Sequence, residues 1–302
     1  MNESKSIRYI CKEHHLRIYA TISKDLLEQL ISIHHTTLHA TIALGRTLNA
    51  AILLASSSLK PNSNDTLSIK IQCSGPLQEI MVQVDGRGNV RGLVSNPDVD
   101  AMMQTQTLDI AKALGAGIIT VTRDLGLKEP YTGVSPLLYG DIANDIAHYL
   151  TQSEQIPSAI ILTVNYNNDG TLARSAGILI QTYPDTPEFV IQHIEQYLQS
   201  GFSLDRELQT TTDCKAIIEK IVKSNIEPLG CTPLQLNCRC NKEMLTQILV
   251  SIDNNELTAM IEKDHGAQIT CAFCKKQYDF TEDDLKKILL TKEKKSPNTS
   301  YQ

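Results

Sequence analysis

The alternation of apolar and polar residues predicts that the chain begins with a strand followed by two helices. Residues 7 to 23 alternate and are rich in β-forming side chains, so we expect a strand there. Apolar residues then recur at helical spacing from about Lys24 to Ile33, and again from Thr37 to about Leu54. The second helix contains many alanines, which favour helix, and we expect it to pack inside the fold.

The next part of the chain has the pattern of an antiparallel meander, because short β-rich runs are separated by Gly, Pro, Asn and Asp. Asn168, Asp169 and Gly170 predict a hairpin turn, and a helix is expected near Asp141 to Leu150. This irregular order predicts an α+β core domain over residues 1–184. The expected strands are TLSIKIQC (66–73), LQEIMVQV (77–84), NVRGLV (89–94), IITVTRD (118–124), AIILTVNY (159–166) and TLARSAGILIQTYP (171–184).

Residues 185–230, here called the linker, differ from the preceding strands. Pro187 starts a short amphipathic helix that Gly201 ends, and a second one can begin at Asp213 and end before Pro228. Helices of this length are marginal alone and need an apolar surface to pack against. The linker must therefore dock, either permanently as part of the core or in a way that can be reversed, and the periodicity is compatible with both.

Six of the eight cysteines lie in the C-terminal third, so metal-binding or redox chemistry is expected there. Two motifs stand out, a CxC at Cys238 and Cys240 and a CxxC at Cys271 and Cys274, separated by residues that can hold two short helices. Four thiolates form the ligand set of closed structural zinc sites. We therefore predict that these four cysteines bind one zinc ion per chain, within a zinc-binding domain over residues 231–292.

The surroundings of the CxxC motif agree with a zinc knuckle. It lies between the strand-like segments AQIT and KKQYDF, and Thr281 with Asp284 offers a cap for the helix TEDDLKKILL. A segment of this size with few large apolar groups depends on its metal for stability. Residues 293–302 are polar and are predicted to be disordered.

The CxC spacing favours redox chemistry over an inert zinc ribbon. Most ribbons use two CxxC pairs, whereas thiols separated by one residue can oxidise to each other through a small strained ring. An oxidant that takes electrons from two thiolates also removes two zinc ligands, so disulfide formation, metal loss and unfolding become coupled. An inert zinc ribbon that binds a nucleic acid or a protein partner stays open as the alternative.

Composition and charge narrow the function. Hydrophobic residues make up 41% of the 302 residues and the net charge is −6, which is typical of a globular protein with about two domains. Residues 231–302 carry ten basic and ten acidic side chains, so the zinc region lacks the basic surface of a nucleic-acid binder. No signal peptide or stretch of about 18 apolar residues is present, and we expect a cytoplasmic protein without a membrane partner.

Other known chemistries are not supported by the sequence. Gly115 and Gly117 follow a helical run and precede a strand, the reverse of a dinucleotide fold, so no nucleotide site is expected. No GxSxG or Walker motif occurs, and we predict no catalytic activity. A thiol oxidoreductase using the CxxC motif is a third possibility, but such a motif normally opens a helix, whereas this one is expected to join two strands.

Three histidines are further candidates for metal ligands. His35 and His39 have metal-ligand spacing on a predicted helix, but Thr36 stands where a zinc protease needs Glu, so a structural or surface role is expected. His265 lies six residues before Cys271, yet four thiols complete a zinc site without it. Cys11 and Cys73 are expected to be plain buried or half-buried thiols.

With these motifs, the chain resembles the heat shock protein 33 family of redox-regulated bacterial holdase chaperones. The resemblance covers most of the chain. It rests on CRC followed about 30 residues later by CAFCKKQYDF, and on IQCSGP (71–76), RGLV (91–94), YTGVSPL (131–137), YLTQSEQIPS (149–158) and SAGILIQTYP (175–184).

The resemblance implies a mechanism in which the reduced, zinc-bound protein is inactive. Oxidation would pair Cys238 with Cys240 and Cys271 with Cys274, expel zinc, unfold the zinc domain and destabilise the linker. The exposed apolar surface would capture unfolding client proteins without ATP, and the active form would be a homodimer; both of these properties come from the resemblance alone. Cys73, Cys214 and Cys231 are not part of the family signature, and Cys231 pairing with Cys238 stays open.

Overall fold

The computed structural model describes residues 4–103 and 107–295. Its contacts divide the chain into an N-terminal unit, Met1–Asn237, and a C-terminal unit, Cys238–Gln302. The N-terminal unit contains two mainly antiparallel sheets with helices between and beside them. Helices and strands are mixed irregularly, as predicted for an α+β fold.

The first sheet has five antiparallel strands in the order β10-β1-β2-β9-β8. The prediction of one strand over residues 7 to 23 is wrong, because the polar residues 12–15 form a turn in which His15 adopts φ +51°. The segment is therefore a hairpin. The strands are β1 (Lys5–Cys11), β2 (Leu16–Ile22), β8 (Ser158–Tyr166), β9 (Leu172–Thr182) and β10 (Glu227–Pro233).

The second sheet has six strands in the order β11-β5-β4-β3-β6-β7, all antiparallel except that β11 is parallel to β5. The meander strands predicted from β-rich runs are confirmed, whereas β7, β10 and β11 were not predicted because they are short or contain Gly and Pro. The strands are β3 (Thr66–Cys73), β4 (Glu79–Asp85), β5 (Asn89–Val94), β6 (Gly117–Asp124), β7 (Tyr131–Pro136) and β11 (Gln235–Leu236).

The central helix of the N-terminal unit packs between the two sheets. This helix, α2, contacts strands of both sheets and is the longest of the eight described helices in the N-terminal unit. Its length and composition would allow it to cross a membrane, but 89% of its most apolar 18-residue window is buried. It is therefore the core helix that its alanine content predicted. The first five helices are α1 (Lys24–His34), α2 (Leu38–Ser58), α3 (Asp100–Met103), α4 (Ile110–Leu114) and α5 (Ala143–Ser153).

The linker covers the other face of the five-stranded sheet. It forms three helices, α6 (Glu188–Gln199), α7 (Leu204–Thr210) and α8 (Cys214–Val222), of which α7 was not predicted because it is short. A second apolar core, here called the linker core, lies between these helices and the sheet. Its members include Tyr9, Ile18, Ile178 and Ile180 from the strands, and Ile194, Leu204, Ile217, Ile218 and Ile221 from the helices.

The C-terminal unit is a small domain whose described residues, 238–295, form three helices and one hairpin. It contains α9 (Lys242–Ser251), α10 (Asn254–Glu262), β12 (Gly266–Thr270), β13 (Gln277–Thr281) and α11 (Glu282–Lys295). The predicted cap of α11 is confirmed: the Asp284 N–H donates to Thr281 Oγ1 and the Thr281 N–H donates to Asp284 Oδ2, both at 3.2 Å.

Two boundaries differ from those expected. Residues 231–237 belong with the N-terminal unit, because β10 pairs with β1 and β11 pairs with β5. The helix α11 continues to Lys295, so residues 293–295 of the predicted disordered tail are helical. The rest of that tail, 296–302, lies outside the described residues.

Candidate metal centre

The four predicted ligands are positioned by the start of one helix and by a hairpin turn. Cys238 and Cys240 directly precede α9, whose N-cap Asn241 accepts a hydrogen bond from the Met244 N–H at 2.7 Å. The other motif, Cys271 to Cys274, forms the turn between β12 and β13. This turn joins two strands, as expected for a zinc knuckle and unlike a catalytic CxxC that opens a helix.

Backbone geometry closes the knuckle. The Cys271 N–H donates to the Lys276 carbonyl oxygen at 2.9 Å, and the Lys275 N–H donates to the Cys271 carbonyl oxygen at 2.9 Å. Lys275 adopts the left-handed φ of +59° that reverses the chain after the second cysteine. The turn therefore points both sulfurs of this motif to the same side.

The four sulfurs form a compact cluster. All four Sγ atoms lie within 4.8 Å of one another, and Cys238 is 3.7 Å from Cys271 while Cys240 is 3.3 Å from Cys274. A tetrahedral zinc site with bonds of about 2.3 Å separates its sulfurs by about 3.8 Å. The residues present therefore fit a zinc ion in size, number and donor chemistry. All eight cysteines of the chain are free thiols.

The cluster favours a bound cation. Burial opposes ionisation of Cys240, but hydrogen bonding with Tyr278 and the neighbouring thiols outweighs it and lowers the Cys240 pKa to about 7. Burial, followed by the hydrogen bond with Cys240, raises the Cys274 pKa to about 12, and burial also raises the Cys238 pKa. Because adjacent thiolates repel one another, a positive charge at their centre would favour ionisation of all four.

Tyr278 is a site residue that the sequence did not reveal. Its hydroxyl lies 3.3 Å from Cys240 Sγ and donates a hydrogen bond to the Cys240 carbonyl oxygen at 2.9 Å. It stands in β13, four residues after Cys274, where no metal-site motif calls for an aromatic side chain. This hydroxyl meets the CxC motif only through a tertiary contact between residues 38 positions apart in the sequence.

Removing the Tyr278 hydroxyl should weaken metal binding. Residues that hydrogen-bond to a metal ligand without binding the metal themselves typically contribute about 10- to 100-fold to metal affinity. Tyr278→Phe should therefore lower zinc affinity by a factor in that range. Competition with a chromophoric zinc chelator measures the change. Tyr139→Phe, at an exposed tyrosine of the N-terminal unit, is the matched control, and equal affinities for both variants would contradict this role.

The other candidate ligands lie elsewhere. His265 pairs with Glu282 at 3.2 Å. The expected single helix carrying His35 and His39 is wrong, since His35 caps α1 in the left-handed conformation and His39 belongs to α2. His39 is buried and bonds to Asp100 at 2.8 Å, a structural role as predicted. Within the residues that the structure describes, only the four cysteines form a group able to hold a metal.

The remaining predicted positions are also resolved. Gly115 caps the end of helix α4 and Gly117 is the first residue of strand β6, so a helix precedes a strand, the order opposite to a dinucleotide fold. Cys11 is buried and Cys73 is half-buried, as predicted for plain thiols. Cys214 in the linker is buried, and Cys231 in strand β10 is exposed.

Fold and site together define the class: an α+β protein whose small C-terminal unit carries four clustered thiols that could hold a metal ion. The model of the Hsp33 protein family matches residues 4–281, which include all four cysteines. The chain belongs to the Hsp33 family, as its motifs indicated, and this membership supports a chaperone function that involves binding unfolded proteins.

Individual members of the family are similar to this chain over nearly its full length. The 33 kDa chaperonin of Agathobacter rectalis is 34% identical, over 93% of this chain and 98% of its own. That of Desulforamulus reducens is 35% identical, over 96% of this chain and 98% of its own. A crystal structure of the 33 kDa chaperonin (heat shock protein 33 homolog) of Thermotoga maritima superposes with a TM-score of 0.84 at 27% identity, over 96% of this chain and 99% of that one.

Proposed function

We propose that this protein is a cytoplasmic, ATP-independent holdase switched on by oxidation. In the reduced state Cys238, Cys240, Cys271 and Cys274 hold one Zn²⁺ and the protein is inactive. Oxidation pairs Cys238 with Cys240 and Cys271 with Cys274, and the active form is a homodimer that binds unfolding proteins. No nucleic acid, membrane, nucleotide or catalytic reaction takes part. The observation that supports this most is the clustering of four thiols within 4.8 Å of one another.

The redox step removes the metal ligands directly. Each disulfide takes two electrons from two thiolates, and one molecule of hydrogen peroxide accepts these electrons with two protons to give two molecules of water. Thiolates, not disulfides, are the ligands of zinc. Four oxidised cysteines can therefore no longer hold Zn²⁺, which is a structural ion that stabilises the fold when bound.

The C-terminal unit should unfold when its metal leaves. Its apolar core is small; among the described side chains it consists of Leu245, Leu249, Leu257, Ile261, Phe280, Leu285 and Ile288. A core of this size stabilises a domain only marginally. Zinc binding to thiolate sites contributes about 10 to 16 kcal/mol in peptides, and this contribution is folding free energy.

Chain connectivity links the metal site to the linker. Cys238 follows Asn237, whose N–H donates to the Val90 carbonyl oxygen at 2.9 Å next to the two-residue strand β11. Before it, β10 pairs with β1 and continues back to the linker helix α8. When the C-terminal unit unfolds, the short pairing of β11 with β5 loses the folded chain next to it and becomes easier to break. Unfolding can then extend through β10 to the linker.

Release of the linker would expose a surface suited to unfolded proteins. The five-stranded sheet is apolar on both faces, since α2 covers one and the linker core covers the other. Ile18, Ile178 and Ile180 are each at most 2% exposed beneath the linker. Their exposure would create a contiguous apolar patch, which is the property that a holdase needs.

The deciding experiment measures metal, thiols and chaperone activity together. The purified chain is treated with peroxide at elevated temperature, and zinc release, thiol loss and light scattering of a thermally unfolding test protein are followed. We expect one zinc to be released as four site thiols disappear, and aggregation to be suppressed only afterwards. Cys73→Ser, which changes a half-buried thiol outside the site, should behave as the parent.

Two results would reject the proposal. Zinc that stays bound after peroxide treatment, or zinc release without suppression of aggregation, would identify the centre as an inert structural ribbon. Salt-sensitive binding of DNA or RNA by the reduced chain would then point to the alternative of a partner-binding zinc module.

A further inference from the structure

Two cysteines outside the metal centre lie in elements that meet where the linker packs on the sheet: one is in a linker helix and the other is in a strand. Cys214 is the first residue of α8, is 5% exposed and belongs to the linker core. Cys231 is in β10, the edge strand next to β1, and is exposed. The proposed zinc switch uses neither of them.

Cys231 and Cys214 lie on the same face of the five-stranded sheet. Strand register shows this for Cys231, and membership of the linker core shows it for Cys214. Cys231 is the cross-strand partner of Ile7 in β1, and directly opposed residues of antiparallel strands project to the same side. Ile7 packs against the linker core, in which Cys214 is buried. The Cys231 side chain therefore points to the side on which α8 lies.

The two cysteines also lie at the same level along β1. The residues after α8 meet the far end of β1, where the Ser224 hydroxyl donates to Glu13 at 2.7 Å, and β10 then runs back towards Lys5. From Cys214 to Val222 the helix rises about 12 Å. From Glu227 to Cys231 the strand extends about 13 Å. The two path lengths are nearly equal, so Cys214 at the start of the helix and Cys231 in the strand lie at about the same position along β1, opposite Ile7.

Electrostatic interactions agree with this position. Burial raises the Cys214 pKa to about 11, while the nearby Lys5 ammonium opposes the shift. Burial raises the Tyr9 pKa to about 12, and the charges of Cys214 and Cys231 both add to that shift. Lys5 and Tyr9 lie two residues on either side of Ile7, so Cys214 is near the strand position that Cys231 faces.

We propose that Cys214 and Cys231 form a second redox dithiol, whose disulfide ties the linker helix α8 to the edge strand β10. Peroxide first oxidises the exposed Cys231 thiolate to a sulfenic acid, leaving hydroxide that becomes water. The Cys214 sulfur then attacks the Cys231 sulfur, and the hydroxyl leaves as a second water. Two thiols and one peroxide thereby give one disulfide and two waters.

The burial of Cys214 sets the order of events. Its thiol is shielded from peroxide within the linker core, so the exposed Cys231 is oxidised first and the Cys214 sulfur attacks it second. This consequence rests on the proposed function: the disulfide holds α8 near β10 and limits how far the linker opens. The chemical step itself does not depend on chaperone activity.

Disulfide mapping of the full chain tests the pairing. The protein is oxidised with peroxide at elevated temperature, alkylated and digested without reduction, and its peptides are identified by mass spectrometry. We expect a linked peptide pair containing Cys214 and Cys231, absent from Cys231→Ser and retained in Cys73→Ser. A Cys231 to Cys238 link, or free alkylated Cys214 and Cys231 beside oxidised zinc ligands, would overturn the proposal.

Limited proteolysis tests whether the Cys214–Cys231 disulfide limits opening of the linker. Oxidised Cys231→Ser, altered at an exposed position that should not affect folding, is expected to be cleaved within residues 185–230 several-fold faster than the oxidised parent. Cys214→Ala should give the same result, whereas equal cleavage rates would overturn the restraint. Mapping and proteolysis use no client protein, so a failed holdase assay and a failed dithiol are distinguishable.

Discussion

Replacing Cys271 with serine should abolish zinc binding and unfold the C-terminal unit, while the N-terminal unit stays folded. Cys271 is the most buried of the four proposed ligands, at 6% exposure, and its backbone closes the knuckle. Without the metal, the unit loses a contribution of about 10 to 16 kcal/mol, more than its small core can replace. The N-terminal unit has two larger cores that contain none of the four ligands.

Hydrogen exchange by mass spectrometry, together with metal analysis, measures this result. Amides of α9, α10 and α11 should exchange at the rate of an unfolded chain in Cys271→Ser, while amides of α2 remain protected. Cys231→Ser is the matched control, because it removes an exposed thiol outside the centre. Stoichiometric zinc or protected amides in the C-terminal unit of Cys271→Ser would contradict the prediction.

Replacing Asp205 with alanine should give a chaperone that is active while reduced and zinc-bound. Asp205 lies in the linker helix α7 and accepts hydrogen bonds from Arg174 Nε at 2.6 Å and from Asn165 Nδ2 at 2.8 Å. These donors lie in β9 and β8 of the five-stranded sheet. The carboxylate therefore fastens the linker to the sheet at a point far along the chain from the metal centre.

The expected size of the effect follows from burial. Arg174 and Asp205 are 26% and 17% exposed, and leaving such a donor without its acceptor costs about 1 to 3 kcal/mol. Each loss of about 1.4 kcal/mol lowers the ratio of docked to undocked linker tenfold. Burial opposes ionisation of Asp205, but hydrogen bonds from Arg174 and Asn165 hold its pKa below the usual value. The contact is therefore intact at neutral pH and is lost only as the pH falls through that lowered pKa.

Light scattering of a client in the absence of oxidant, with zinc measured in the same sample, tests this prediction. Glu195→Ala removes an exposed carboxylate of α6 in the same linker and should remain inactive when reduced. Arg174→Ala should resemble Asp205→Ala, and the double variant should add little, because both remove one contact. A zinc-bound Asp205→Ala protein without chaperone activity would show that this contact does not restrain the linker.

The sequence alone determined the features that depend on neighbours along the chain. The apolar repeat within Leu38–Ser58 predicted the core helix, alternating runs predicted most of the meander strands, and Thr281 with Asp284 predicted the cap of α11. The same holds for the clustering of the four cysteines, because two pairs at short spacing require only a turn or a helix start to bring the members of each pair together.

Tertiary structure decided what depends on residues far apart in sequence. Pairing with β1 and β5 assigned residues 231–237 to the N-terminal unit, and a contact across 38 positions of the sequence placed the Tyr278 hydroxyl beside Cys240. The contact of Asp205 with Arg174 likewise carries no local signal. Periodicity reports which face of an element is apolar, but not which other element covers that face. That choice is made by burial and hydrogen bonding across the whole fold.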